Sequence, residues 1–367
     1  MNRETTSYIS EKIFDESGNL RVVLRNPFSN GFKTINIEKK DSRFSQIEKL
    51  PLETLINFED DNVGIISESR IAERTGLGNF QSGSIRDYID RDDQTNRHLL
   101  LRDPLYVSIQ NIRTNFIINI TSYLTNQGFS WITPSIFTKA TEACEDISGL
   151  FWTDYQNETT NVHEDLALAQ TAQLHLEAMN ASFGNVFSLA PSFRNEKGEP
   201  TIKHLLEYWH LEAEIIDTPL PELMNFLEGM IKNVFKQTLS DSNGEITILK
   251  NSEVGFNDSY IESIIGEYDQ ITYDEAINTL RQTKFISKNT GNIIEWGEDL
   301  DSMAETVIAD KKPVFVYNWP DKLKAFYFTR FEDRGRTLAK SVDLIGHRNV
   351  WSFTWRSSWR WRKRTQI

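Results

Sequence analysis

Cysteine is almost absent from this chain of 367 residues. With Cys144 alone, no internal disulfide and no cysteine-based zinc site can form, which removes disulfide-stapled scaffolds and zinc fingers from consideration. Long apolar runs are missing as well. Nothing approaches the ~18 residues that a membrane-spanning helix requires, and no leader-like stretch opens the sequence, so a cytoplasmic protein without a membrane partner is expected. Positive charge is the third shortage. Lys and Arg number 40 against 53 Asp and Glu, and the net charge of −13 excludes a general electrostatic grip on nucleic acid, leaving RNA only to a local basic patch. What is present suits a globular fold: hydrophobic residues at 39% of the chain, with aromatics at 11%, fill a core for one large domain and a smaller appendage.

The pattern along the chain is uneven. Residues 1–95 are polar, with a hairpin expected in "LRVVLRNPFSNGFKTINIEK", a segment "LPLETLINF" and a charged connector "RDYIDRDDQTNRH". Too few alternating strands are visible there for a five-stranded OB-fold barrel. Apolar spacing predicts a helix from Pro104 to Gln127, stopped by Gly128, and then a strand in "GFSWITPSI" interrupted by Pro134. Further helices are expected in "LALAQTAQLHLEAMNASFG", "PELMNFLEGMIKNVFKQTL" and "TYDEAINTLRQ", with late strands in "KPVFVYNWP" and "KAFYFTRF". Neither an internal repeat nor a low-complexity tract occurs.

One stretch carries more chemistry than the rest. "FRNEKGEPTIKHLLEYWHLEAEI", Phe193 to Ile215, alternates on both sides of a charged turn at Lys197–Pro200, as two antiparallel strands do. Solvated charge on an open sheet face accounts for any one of its Arg and Glu residues. The set needs another account.

These residues resemble the class II aminoacyl-tRNA synthetases, in particular the asparaginyl members beside the aspartyl branch. The likeness runs from about His98 to Gly346 through separated motifs in the expected order. "GFSWITPSI" is similar to the family's first motif, whose strand lies at a dimer interface, and "FRNE" with "KHLLEYWHLEAEI" is similar to its second. "QLHLEA", "WGEDLDSMAE" and "WPDKLKAFY" resemble asparaginyl-type segments. The resemblance implies an α+β catalytic fold over residues 96–346, a mixed and mostly antiparallel sheet flanked by helices, with residues 1–95 left as a region of uncertain fold.

It also implies a chemistry. Asparagine would attack the α-phosphate of ATP, with magnesium, to form an aminoacyl adenylate and release pyrophosphate. Such a reaction needs no protein nucleophile, so positioning and charge stabilisation do the work. By resemblance Arg194 would contact the α-phosphate, Lys203 and His204 the outer phosphates, Tyr208 the adenine face, and Glu196 the adenine or the tRNA end, with Arg194 and Tyr208 on one face of the hairpin. Lys203 stands where the family usually has arginine. Glu145 would close over the amino acid, and Thr171 and Gln173 would hold its ammonium group. Aspartyl enzymes carry a lysine three positions after that glutamine. Leu176 stands there instead, which favours a neutral amide over a carboxylate. Cys144 reads as a small packing residue, since no histidine lies nearby in sequence. Which residues of this chain would hold magnesium is left open.

Residues 347–367 break the pattern. After "SVDLIG" the family has an acidic metal-binding residue and then a glycine-rich helix start ending in an ATP-binding arginine, whereas this chain reads "HRNVWSFTWRSSWRWRKRTQI". Interfacial binding suits a Trp- and Arg-rich tail. A displaced reading frame suits it better. Shifted forward by one base, each of these four tryptophan codons becomes a glycine codon, and with suitable arginine codons Trp361 to Arg364 re-reads as Gly-Glu-Arg-Glu. Three functions are compatible with the sequence: tRNA charging with asparagine by a homodimer, a tRNA-independent amino-acid ligase or asparagine synthetase-like paralogue, and an inactive relic that dimerises or binds nucleotide.

Overall fold

The computed structural model describes residues 3–29, 31–59, 62–71, 74, 82–89, 95–138, 149–157, 162–195, 205–252, 256–288, 290–346 and 357–359. The chain divides into two compact units, residues 1–119 with 236–257, and residues 120–235 with 258–367.

The first unit is built on a sheet. Its elements are β1 (Thr6–Phe14), β2 (Leu20–Arg25), β3 (Phe32–Ile37), α1 (Phe44–Ile47), β4 (Leu55–Glu59), β5 (Asn62–Ser67), β6 (Gly83–Ser84), α2 (Arg97–Leu100) and the start of α3 (Pro104–Asn126). Strand order is β3-β2-β1-β4-β5, with β6 also on β1, and every pairing is antiparallel. The β2–β3 hairpin forms where the alternation places it. The remaining strands leave a weaker signal because β1 is buried on both faces: its nine residues include buried Ser7, Ser10, Glu11 and Lys12, so apolar and polar positions do not alternate. A bulge between Ile9 and Glu11 re-aims the strand. Ile9, Leu20, Val22, Leu24, Ile37 and Ile56 close the core under Phe44 and Ile47 of α1. Lys12 is fully buried, and its ammonium donates to the carbonyls of Ile47 (3.2 Å), Glu48 (2.9 Å) and Leu50 (2.5 Å) at the end of that helix.

The second unit contains β7 (Ser130–Trp131), β8 (Phe137–Thr138), β9 (Trp152–Asn157), β10 (Val162–Leu168), α4 (Gln173–Phe183), β11 (Val186–Phe193), β12 (Glu207–Glu214) and most of α5 (Leu220–Asp241). α6 (Asn243–Lys250) returns to the first unit, and α7 (Asp258–Ile265), β13 (Asp269–Thr272), α8 (Tyr273–Gln282), α9 (Ser302–Ile308), β14 (Val314–Pro320), β15 (Arg330–Asp333), β16 (Arg336–Ile345) and β17 (Ser357–Trp359) complete the second. The fold is α+β with mostly antiparallel sheets: β8-β10-β9, β12-β11-β7, and β13-β14-β16-β15 with β17 on β16. Among the described strands only β7–β11 and β13–β14 run parallel.

Three expected elements shift. The helix expected from Leu166 begins only at Gln173, because the preceding backbone is claimed by tertiary bonds: Leu168 N–H donates to Phe151 O (2.9 Å) and Ala169 N–H to Ile136 O (2.8 Å). The strand expected in "KAFYFTRF" shrinks to Arg330 onward. Arg330 pins the preceding loop by donating to the carboxylate of Asp321 and to the carbonyls of Lys324 (3.2 Å) and Phe326 (3.3 Å). In "GFSWITPSI" the strand is two residues long, and Pro134 has no N–H to extend it.

Candidate functional site

The β11–β12 ladder decides which side chains share a surface. Its register runs from Val186↔Glu214 to Phe193↔Glu207. Alternation therefore sends Ser188, Ala190 and Ser192 to one face together with Tyr208, His210 and Glu212, and Phe187, Leu189, Trp209 and Leu211 to the other. Phe187 is fully buried and stacks on Trp131 at 5.6 Å. The described charged residues of this stretch divide by parity, Glu212 and Glu214 on the face of Tyr208 and His210 and Glu207 on the face of Trp209 and Leu211.

Arg194 extends the ladder by one bond, its N–H donating to Leu206 O at 3.0 Å. Its guanidinium lies 5.9 Å from the centre of the Tyr208 ring, so both side chains occupy the polar face, as expected. Neighbouring bonds hold the strand end in place: Phe193 N–H reaches Ala169 O (3.0 Å) and Asn195 N–H reaches Gly149 O (2.9 Å). Along β12 the Tyr208 and His210 rings are 5.5 Å apart, His210 Nδ1 lies 3.2 Å from Ser192 Oγ, and it lies 3.5 Å from Glu212 Oε2.

Glu212 connects this face to the segment before α4. Its carboxylate accepts from the Thr171 hydroxyl and, at 2.7 Å, from Ala172 N–H. Thr171 Oγ in turn accepts from Gln173 N–H at 3.1 Å, and the Gln173 amide donates to Glu177 at 3.0 Å. Thr171, Ser192, Pro191, Ile136 and Glu212 line one shallow pocket. Leu176 does not face it: it is fully buried against Ala172 and Val186. Of the expected site residues, Arg194, Tyr208, Thr171 and Gln173 are brought onto connected elements, while Glu145, Glu196, Lys203 and His204 lie outside the described residues. Glu212 and His210 were not singled out in the sequence. The parity of β12 signals them, because both sit an even number of residues from Tyr208.

Among the described residues no group of three His, Cys, Asp or Glu side chains is placed to hold a metal. No helix among them is long and apolar enough to cross a membrane.

A family model described as class II tRNA synthetases (D, K and N) matches residues 91–349. The chain belongs to this family. Among solved structures, the asparaginyl-tRNA synthetase of Pyrococcus horikoshii complexed with asparaginyl-adenylate superposes with a TM-score of 0.69 at 23% identity, over 94% of this chain and 77% of that one. The asparaginyl-tRNA synthetase of Entamoeba histolytica gives 0.65 at 22% identity over 93% and 77%, and the aspartyl enzyme of the same organism gives 0.59 at 17% over 94% and 72%. These likenesses carry the fold of the class II synthetase.

Proposed function

We propose that this class II synthetase activates asparagine, forming asparaginyl adenylate from asparagine and ATP and passing the asparagine to tRNA. The observation that carries the reading is the single polar face on which Arg194 and Tyr208 lie together and which leads through Glu212 to Thr171 and Gln173. In it Arg194 follows the charge that grows on the α-phosphate as asparagine attacks and pyrophosphate leaves, and Tyr208 covers the adenine. Lys203 and His204 take the outer phosphates and Glu196 the adenine or tRNA end. Glu145 closes over the amino acid, whose ammonium group rests on Thr171 and Gln173.

Asparagine is favoured over aspartate in this reading because a structural neighbour, an asparaginyl-tRNA synthetase, was solved with asparaginyl-adenylate. The N-terminal sheet supports tRNA as the acceptor. Strand order β3-β2-β1-β4-β5 with α1 between β3 and β4 is that of an OB-fold opened at one seam, the oligonucleotide-binding module that a tRNA-independent ligase does not need. A cytoplasmic homodimer joined through residues 127–136 belongs to the same reading, and Trp131 there is 49% exposed.

The frame displacement after about Gly346 also belongs to it. The family match stops at residue 349, and residues 350–367 lack the third-motif arginine. Sequencing the gene across the codons for Ile345 to Ile367 tests this directly. With the frame restored, asparagine-dependent exchange of pyrophosphate into ATP appears in the presence of magnesium. Arg194→Ala abolishes it, a loss of ~3–4 kcal/mol or hundreds-fold in rate. Exchange without aminoacylation of tRNA selects the tRNA-independent ligase. No exchange by the restored chain leaves the relic. Full exchange by the 367-residue chain refutes the weight placed on the third motif.

A further inference from the structure

A set of buried charges lies away from the candidate site, where the N-terminal sheet meets the two residues that precede α3. Asp103 is fully buried and holds in two directions. Its carboxylate accepts from Leu105 N–H (2.9 Å) in the first turn of α3 and from the Arg86 guanidinium (3.0 Å), which also stands 3.7 Å from Glu11 of β1. Arg21 of β2 backs Glu11 at 3.7 Å. The preceding residue, Arg102, lies 3.7 Å from Glu53, whose two carboxylate oxygens both accept from Arg25 of β2 at 3.0 and 2.7 Å. Two arms of alternating charge thus leave neighbouring strands and end on neighbouring residues of the chain.

Apolar packing would hold the same place without desolvating charge, and Leu99, Leu100 and Leu105 already supply some of it. What a guanidinium opposite a carboxylate adds is direction, since the pair fits one arrangement. Glu53 points the same way. Its φ of 62° lies in the left-handed region, and its N–H is fixed to Ile9 O at 2.7 Å, so glycine would sit there with less strain. The carboxylate is what the position keeps.

We propose that the two arms are a latch that fixes the first turn of α3 to β1 and β2, so that sheet and helix start move as one body. Breaking either arm frees the helix start while the sheet stays folded. The inference does not depend on which substrate the chain activates.

Hydrogen exchange of the full 367-residue chain tests it, read by mass spectrometry on peptides over residues 97–112 and over the β2–β3 hairpin. Arg86→Met leaves the buried Asp103 carboxylate without its guanidinium, and exchange over 97–112 should rise about tenfold or more while the hairpin stays within about twofold. Arg102→Gln removes the outer end of the second arm from a side chain that is 46% exposed, at little risk to folding. It should raise exchange over 97–112 about threefold, and it decides alone if Arg86→Met does not fold. Equal acceleration of both peptides overturns the latch, because the charges then hold the whole unit and not the helix start. Folded variants with unchanged exchange over 97–112 overturn it as well.

Discussion

Lys12 shows what a single buried charge does to pH dependence. Burial pushes its ammonium down to about 8, although three carbonyls at the end of α1 favour the charged form. Below that pH the group is charged in both folded and unfolded chains. Above it the folded chain gives up a proton that the unfolded chain keeps until about 10.5, so stability contributed by this group rises with pH across that window. Urea unfolding at pH 7 and pH 10 should show the wild type gaining on Lys12→Met, by at most about 3 kcal/mol. Equal pH slopes for the two proteins would discard the account. Leu176 supplies a second case. Sequence placed it opposite the substrate side chain, but it is fully buried between Ala172 and Val186. Leu176→Lys should therefore cost about 3 kcal/mol or more, read as a lower melting temperature, and bring no gain in aspartate activation.

Elements were legible in proportion to how locally they are determined. α8 carries its own start signal: Thr272 accepts from Glu275 N–H at 3.2 Å while the Glu275 carboxylate takes Thr272 N–H at 2.7 Å. Its apolar stripe, Tyr273, Ala276, Ile277 and Leu280, packs against Val314 and Val316 of β14. Thr272→Ala should cost about 1 kcal/mol, measured by denaturant unfolding, whereas the exposed Thr279→Ala should cost less than half of that. α3 and α5 were equally plain because each repeats an apolar face over many turns, Leu223, Leu227, Met230 and Val234 in the second. Gly128, with φ of 83°, stops α3 where it was expected to. Other elements depend on partners distant in sequence. β10, the Arg330 loop and the five-strand order of the N-terminal sheet are set by bonds to Phe151, Asp321 and a doubly buried β1, none of which leaves a period in the local sequence. The site divides in the same way. Arg194, Tyr208, Thr171 and Gln173 were readable from motif likeness, while Glu212 became visible only when the ladder set it opposite Ser188 and beside Thr171.

For the molecule as a whole, the assembly proposed through residues 127–136 has a direct check. Light scattering at high concentration should give twice the 42.6 kDa chain mass, and Trp131→Glu, on a side chain 49% exposed, should shift it toward the monomer without lowering the melting temperature by more than a few degrees. A wild-type monomer at high concentration would remove the dimer from the reading. The strict alternation of β12 bears on how this chain can change over generations. Exchanging one side chain for another at Tyr208, His210 or Glu212 alters the contacts of that residue and leaves the facing of its neighbours unchanged. Losing or gaining a single codon between Leu206 and Glu212 instead rotates the whole strand, turning Trp209 and Leu211 toward the polar side and Tyr208 and His210 toward the apolar back. The segment is therefore open to drift by substitution and closed to drift in length, and length variants among descendants of this gene should fall outside it.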